Sequence, residues 1–272
     1  MPDTRLHPMQ SVPTMLSPDE QRLYYWLTAH WTRDRGEVVE LGSYVGGSTA
    51  RLAAGLHDTK KLARVFAFDH FRTDERTKSQ VLYRQGIKPF EGEDILPLSK
   101  ALLSKWQERI VWRPGPIEQS VWEGGPIELL VMDASKKDMH MDRMAEIFFP
   151  HLIPGKSLLV QQDFYHWRLP WITAQMQRMR RWFKPLAYCP NDTVVFLNTR
   201  QIDDEALAAG RISPLSDQEI AVALRRMNGR GIPWHKAFRI RKMIRVMQAN
   251  PGVRTGWKMK DVEAPRPTAA TR

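Results

Sequence analysis

The residues of this chain best equipped for chemistry are a glycine-rich turn and a set of polar side chains that end apolar runs. Val38 to Leu41 read as a buried strand, Gly42, Gly46 and Gly47 as a turn, and Ser48 to Leu56 as a helix. Such a strand, turn and helix aim backbone N–H groups at a helix N-terminus, where they can hold a polar or anionic ligand. The spacing narrows that ligand. Tyr44 stands where a dinucleotide fingerprint needs glycine against a pyrophosphate, and no Gly-Lys-Ser/Thr is present for a triphosphate. A nucleoside without a diphosphate remains. Asp69, 27 residues after Gly42, ends the next apolar run, where a carboxylate can accept both ribose hydroxyls. Asp133, Lys136, Gln162 and Asp163 end two later runs, so they should converge at the carboxyl edge of one sheet.

The pattern Glu40-x-Gly42-x-x-x-Gly46-Gly47-Ser48 resembles the first motif of class I S-adenosylmethionine (SAM) methyltransferases. Its wording, Glu-Leu-Gly-Ser-Tyr-x-Gly-Gly-Ser-Thr, is most similar to the macrocin-type small-molecule O-methyltransferases. The resemblance covers roughly residues 17–200. It implies SAM as cofactor, held by Glu40, Gly42, Ser43, Tyr44, Gly46, Gly47, Ser48, Asp69, His70 and Asp133, with Gly115, Pro116 and Ile117 beside the adenine. Asp133-x-x-Lys136, with the doublet Gln162-Asp163, is similar to the catechol O-methyltransferase pattern, in which carboxylates hold magnesium and the lysine is the base. Carried over, Asp133, Gln162 and Asp163 are the metal positions, and Lys136, Asp133 and Asp163 the catalytic ones. Gln162 removes one negative charge, so Mg2+ should bind weakly or not at all. Lys136 serves as base only if its surroundings lower its pKa toward neutrality. His140 and His166 are the alternative bases. The macrocin-type Asp-Gly-Asp-His is replaced here by Asp133-Ala-Ser-Lys136. Tyr165, His166 and Trp167 follow strand five, where aromatic walls would suit a flat or sugar-like acceptor.

These positions require an α/β scaffold. Ser17-Pro18-Asp19-Glu20 starts a helix that should run to about Thr32. Further strands are expected at 64–69, 110–112, 127–133 and 157–163, with helices at about 98–109, from Met141 to Pro154, and at 171–183. Leu186 to Tyr188 and Thr193 to Leu197 read as a closing hairpin. The expectation is a doubly wound, Rossmann-like sheet of seven strands with a terminal antiparallel hairpin. Residues 1–16 read as an extended arm and 17–200 as the SAM-dependent methyltransferase domain. A basic helical extension over 201–264 should hold helices near 203–209, 216–227 and 233–248, and 265–272 as a disordered tail.

The net charge of +11 is concentrated late, with 14 Lys/Arg against 7 Asp/Glu from Gln201 to Arg272. That segment could attract nucleic acid, anionic lipid or an acidic substrate. The single Cys189 excludes an internal disulfide and a cysteine zinc site. Without a secretory h-region or an apolar run near ~20 residues, a cytoplasmic protein with no transmembrane segment is expected. The leading function is methylation of a small-molecule or glycan hydroxyl. The alternatives are a nucleic-acid methyltransferase and a non-catalytic module of the same fold. Oligomeric state does not follow from the pattern.

Overall fold

Four short apolar runs, alternating in which face they present, dictate a sheet covered on both sides. The computed structural model describes residues 9–227 and 236–262. Seven strands, β1 (Glu37–Leu41), β2 (Val65–Asp69), β3 (Ile110–Pro114), β4 (Ile127–Met132), β5 (Leu158–Gln161), β6 (Phe183–Tyr188) and β7 (Val194–Asn198), form one sheet in the order β3-β2-β1-β4-β5-β7-β6. The first five are parallel, and β7 runs antiparallel between β5 and β6. This is the doubly wound sheet with a terminal hairpin that the strand pattern predicts.

Alternation along the strands separates two cores. Val39, Leu41, Leu130 and Met132 face one side, and Val38, Leu129, Val131 and Val160 the other. Both faces are buried, as a parallel sheet requires. The second face is covered by α1 (Pro18–Trp26), its continuation through the π-turn Leu27–Trp31, and α2 (Gly47–Asp58). Between β2 and β3 lie the single turn α3 (Glu75–Thr77), short 3-10 and π turns, and α4 (Leu96–Leu102). The first face receives α5 (Asp138–Phe148), α6 (Pro170–Arg178), α7 (Asp204–Gly210), α8 (Asp217–Met227) and α9 (Ala237–Ala249).

Several boundaries differ from expectation for local reasons. The α-helix after β4 ends at Phe148 rather than Pro154 and passes into the 3-10 turn Phe149–His151, because Pro150 has no N–H to continue the α-helical hydrogen bonding. The helix expected to reach Phe183 stops at Arg178, and Phe183 opens β6 with its side chain buried. β5 ends at Gln161, so Gln162 and Asp163 lie in the turn beyond it. The arm is not freely extended over 9–16, since Met9 and Val12 are fully buried and a turn joins them. Residues 1–8, the expected start of a helix at Pro233, and the tail from Pro265 lie outside the described residues.

The basic extension is stitched to the sheet by its charges. Arg211 pairs with Glu146, Arg239 with Asp192, and Arg254 with Asp138 and Asp217. Asp142 of α5 accepts the N–H groups of Ile212 and Ser213. Ile220, Leu224, Ile240, Met243 and Val246 bury into the same core as α5 and α6. Among the described residues no helix is long and apolar enough to cross a membrane.

Candidate active site

The strand order reverses direction between β1 and β4, and the crevice outside such a switch point is where open α/β sheets take ligands. The turn after β1 is built for close approach there. Gly42 donates its N–H to Phe68 O, and Asp133 donates its own to Leu41 O, so both strands' exits meet. Gly42 has φ +103°, and a Cβ on it would stand 3.1 Å from the Asp133 carbonyl carbon. Tyr44 also takes a positive φ, 50°, held by its N–H donating to Asp69 Oδ2 at 2.9 Å. The other Asp69 oxygen accepts the Phe71 N–H at 2.7 Å. Asp69 thus clamps the turn while each oxygen keeps a lone pair.

A cleft opens at this point, lined by Gly42, Ser43, Tyr44, Gly47, Ser48 and Asp133 on one side and by Pro13 to Leu16 on the other. Six of the residues expected at the cofactor therefore share one cavity. Gly46 instead faces Leu103. Glu40 lies beneath the turn, fully buried, accepting from Ser43 Oγ (2.9 Å) and Thr49 Oγ1 (2.5 Å) through Oε2. Its Oε1 makes no hydrogen bond. Burial pushes the Glu40 carboxyl up to about 7, against the opposing pull of the Ser48, Thr49 and Ser43 hydroxyls. His70 is exposed. Gly115 donates its N–H to Asp69 O beside half-buried Pro116, whereas the Ile117 side chain is packed into the core.

The arm that walls this cleft is held by a buried cation. Arg51 of α2 donates to Val12 O and Gly47 O, and its other Nη to Gln21 Oε1. Gly47 lies so close under the arm that a Cβ would be 2.3 Å from Pro13 O. Nothing in the proline-rich sequence of 1–16 signals this cover.

Beyond β4, the Lys136 ammonium bridges two carboxylates, contacting Asp133 Oδ1 at 3.0 Å and, more closely still, Asp163 Oδ2. The loop is braced by the chain's far end, since Gly256 donates its N–H to Lys136 O at 2.8 Å and Lys137 pairs with Thr255. Burial alone would lower the Lys136 pKa, but Asp133 and Asp163 outweigh it and hold the ammonium above its ordinary value. That direction is opposite to the lowering that a lysine base needs. Asp133 is raised to about 6, by burial first and by Asp163, against the pull of Lys136.

Gln162 is placed apart from this pair. Its Oε1 accepts from Tyr24 OH at 2.6 Å, and its Nε2 donates to Glu20 Oε1 at 2.9 Å. Thr193 Oγ1 donates to the same Glu20 oxygen at 2.6 Å. The second Glu20 oxygen closes a capping box with Ser17 at the start of α1. The expected metal set of Asp133, Gln162 and Asp163 does not fit a dication. Its two carboxylates already hold a cation, and its amide is engaged elsewhere. Tyr24, Glu20 and Thr193 are site residues that the sequence pattern presents only as helix and strand positions.

Among the residues expected to face an acceptor, Tyr165 is buried with its hydroxyl unpartnered. His166 stacks on Trp167 with ring centroids 6.0 Å apart, and Arg168 and Lys242 each lie 4.7 Å from the Trp167 ring. Burial, more than any charge, lowers the His166 pKa. His140 stands away from this cluster, 3.5 Å from Glu118.

Residues 39–162 match a family model described as a methyltransferase domain. Among solved structures, the chain is similar to the O-methyltransferase NovP, with 15% identity, 69% of this chain and 82% of that one covered, and a TM-score of 0.51. It is also similar to CalS11, described as a TDP-rhamnose 3'-O-methyltransferase, with 16% identity, 65% and 76% coverage, and a TM-score of 0.50. No curated protein matches the sequence. The glycine turn and Asp133 thus lie in the stretch that matches the methyltransferase-domain model, and the sheet with its terminal hairpin has the fold of these O-methyltransferase structures.

Proposed function

We propose that this chain uses SAM to methylate a hydroxyl of a small molecule or glycan. One observation carries the reading: the Gly42–Ser48 turn and Asp133 share a switch-point cleft above a buried glutamate whose Oε1 has no partner. An orphaned buried carboxylate oxygen is costly unless a ligand donor satisfies it, and the SAM ammonium is such a donor. Asp69 keeps lone pairs for the ribose hydroxyls, and Ser43, Tyr44 and Ser48 line the nucleoside's path. When bound, SAM supplies a methyl carbon on a sulfonium for in-line attack, so the protein's task is chiefly positioning. The ionised form of Glu40 favours a cationic donor, whereas the charges of Asp133 and Asp163 are partly offset by the Lys136 ammonium. Trp167 and His166 offer a flat wall for the acceptor. The hydroxyl class is supported by what NovP and CalS11 are described as doing. A nucleic-acid acceptor is less favoured, because Arg211, Arg239, Lys242 and Arg254 of the basic extension already pair with carboxylates.

Calorimetric titration with SAM and S-adenosylhomocysteine tests this reading. Micromolar binding is expected, weakened at least about tenfold (~1.4 kcal/mol) by Asp69→Ala, with thermal unfolding as the control for the turn. Absence of binding by folded wild-type protein overturns the reading.

A further inference from the structure

We propose that the Lys136 ammonium is the resident cation of this site, seated where a divalent metal would otherwise lie and offering an N–H to the acceptor oxygen. Its role toward the acceptor rests on the methyl-transfer reading; the seat itself rests on three side chains. Lys136 Nζ lies 3.0 Å from Asp133 Oδ1 and contacts Asp163 Oδ2, although Asp163 is 27 positions from Lys136 and follows a different strand. The lysine side chain is 44% exposed, the two carboxylates 30% and 19%, so the cation sits at the cleft surface rather than in the core. An ammonium carries three donors, and two are engaged, which leaves one for an incoming oxygen.

With the ammonium in place the surroundings are unsuited to a hard dication, which needs six or more oxygen ligands. Gln162 Oε1 is taken by Tyr24 and its Nε2 by Glu20. Among the described residues no three His, Cys, Asp or Glu side chains are grouped to hold a metal ion. The positive charge that orients an acceptor oxygen is thus covalently part of the chain. In the transfer step the acceptor oxygen forms its bond to the methyl carbon of SAM. The C–S bond breaks with its electron pair going to sulfur, leaving a neutral thioether, and the hydroxyl proton passes to Asp133 or Asp163. Lys136 remains protonated throughout.

The test is electron paramagnetic resonance titration with Mn2+, without SAM, so that it stands whether or not the cofactor reading does. Wild-type protein should leave the free Mn2+ signal unchanged. Lys136→Ala should open the seat and retain Mn2+ with at least about tenfold higher affinity. Lys136→Ala/Asp163→Asn should lose that binding again. Lys136→Gln, of similar length, serves if the alanine variant fails to fold, as judged by circular dichroism. Equal Mn2+ affinity in wild type and variant would show that the lysine does not fill the seat. No binding by either folded lysine variant would show that the carboxylates do not converge on one. Both results overturn the proposal. Separate SAM titration of wild-type protein identifies a failure of the cofactor reading without touching this result.

Discussion

The two walls of the cleft are made in different ways. The wall at β1 is local: Ser43 bonds Glu40 three residues away, Thr49 does so from nine, and Tyr44 reaches Asp69 across 25. The wall at β5 is assembled from the whole chain: Tyr24 meets Gln162 across 138 residues, Glu20 meets Thr193 across 173, and Gly256 braces Lys136. The first wall uses backbone conformation and a motif, so it can be carried on a short stretch of sequence. The second uses side-chain pairs that only the finished fold brings together. Cofactor binding and acceptor chemistry should therefore respond to different perturbations.

The largest expected effect comes from Glu20→Ala. It removes the capping box of α1 and leaves Gln162, Thr193 and Ser17 without their acceptor. A cost of about 3 kcal/mol follows from a lost cap plus unsatisfied buried partners. Urea unfolding measures it, and SAM titration of the variant at low temperature should show affinity nearly intact. If SAM binding is lost together with stability, the two walls are not separable.

Next in size is a pH effect confined to the first wall. Glu40 titrates near 7 in the folded chain against an ordinary value of 4.5, so folded protein holds a proton there that unfolded protein has lost. Its contribution to stability must therefore fall as pH rises from about 4.5 to about 7, by roughly 3 kcal/mol, and stay level outside that window. Glu40→Gln should flatten this slope in unfolding measured across the window. A residual slope below pH 6 belongs to Asp133, also raised by burial. Because SAM's ammonium favours the ionised carboxylate, wild-type binding at pH 6 should release a proton, seen as a buffer-dependent binding enthalpy. Unchanged slope in the variant would place the titrating group elsewhere.

How much of this could be read in advance divides along the same line. Gly42, Gly46 and Gly47 announce the turn because each backbone requirement is written at its own position, whereas nothing in Tyr44 signals its positive φ, and Asp69 and Asp133 follow as ends of apolar strands. Lys136 and Asp163 were legible as neighbours, yet not as an ion pair, because spacing does not report which charges meet. The partner of Gln162 was illegible: Tyr24 lies on an ordinary amphipathic helix, and nothing local says that its hydroxyl reaches β5. Nor does a proline-rich start reveal that Pro13 to Leu16 will lie over the glycine turn, since that packing depends on Arg51 and on the missing side chain of Gly47.

A smaller effect is expected from Arg254→Ala. Arg254 ties Asp217 (2.8 Å), Asp138 (3.5 Å) and Leu215 O together just ahead of the Thr255–Gly256 segment that braces the Lys136 loop. Its partly exposed charged bonds are worth about 1–2 kcal/mol, less than a fully buried set. Hydrogen exchange should quicken at Gly256, whose N–H is donated to Lys136 O, and turnover should fall while SAM affinity holds. Unaltered exchange at Gly256 would mean that the core contacts of α8 and α9 alone fix the extension.

The smallest stability effect belongs to Trp167→Ala, and it isolates the acceptor wall. Trp167 is half-buried, stacked on His166, flanked by Arg168 and Lys242, and packed at the edge of the first core. Removing it should cost about 0.5–1 kcal/mol in unfolding, the worth of a few exposed cation–π and stacking contacts. SAM affinity should not move, because Trp167 is not among the residues lining the nucleoside cleft. With an acceptor in hand, KM should rise about tenfold at near-constant kcat, since a flat wall contributes binding shared by ground and transition states. A fall in kcat at constant KM would instead make Trp167 part of the geometry of transfer. The β5 wall would then position the reacting oxygen as well as bind its carrier.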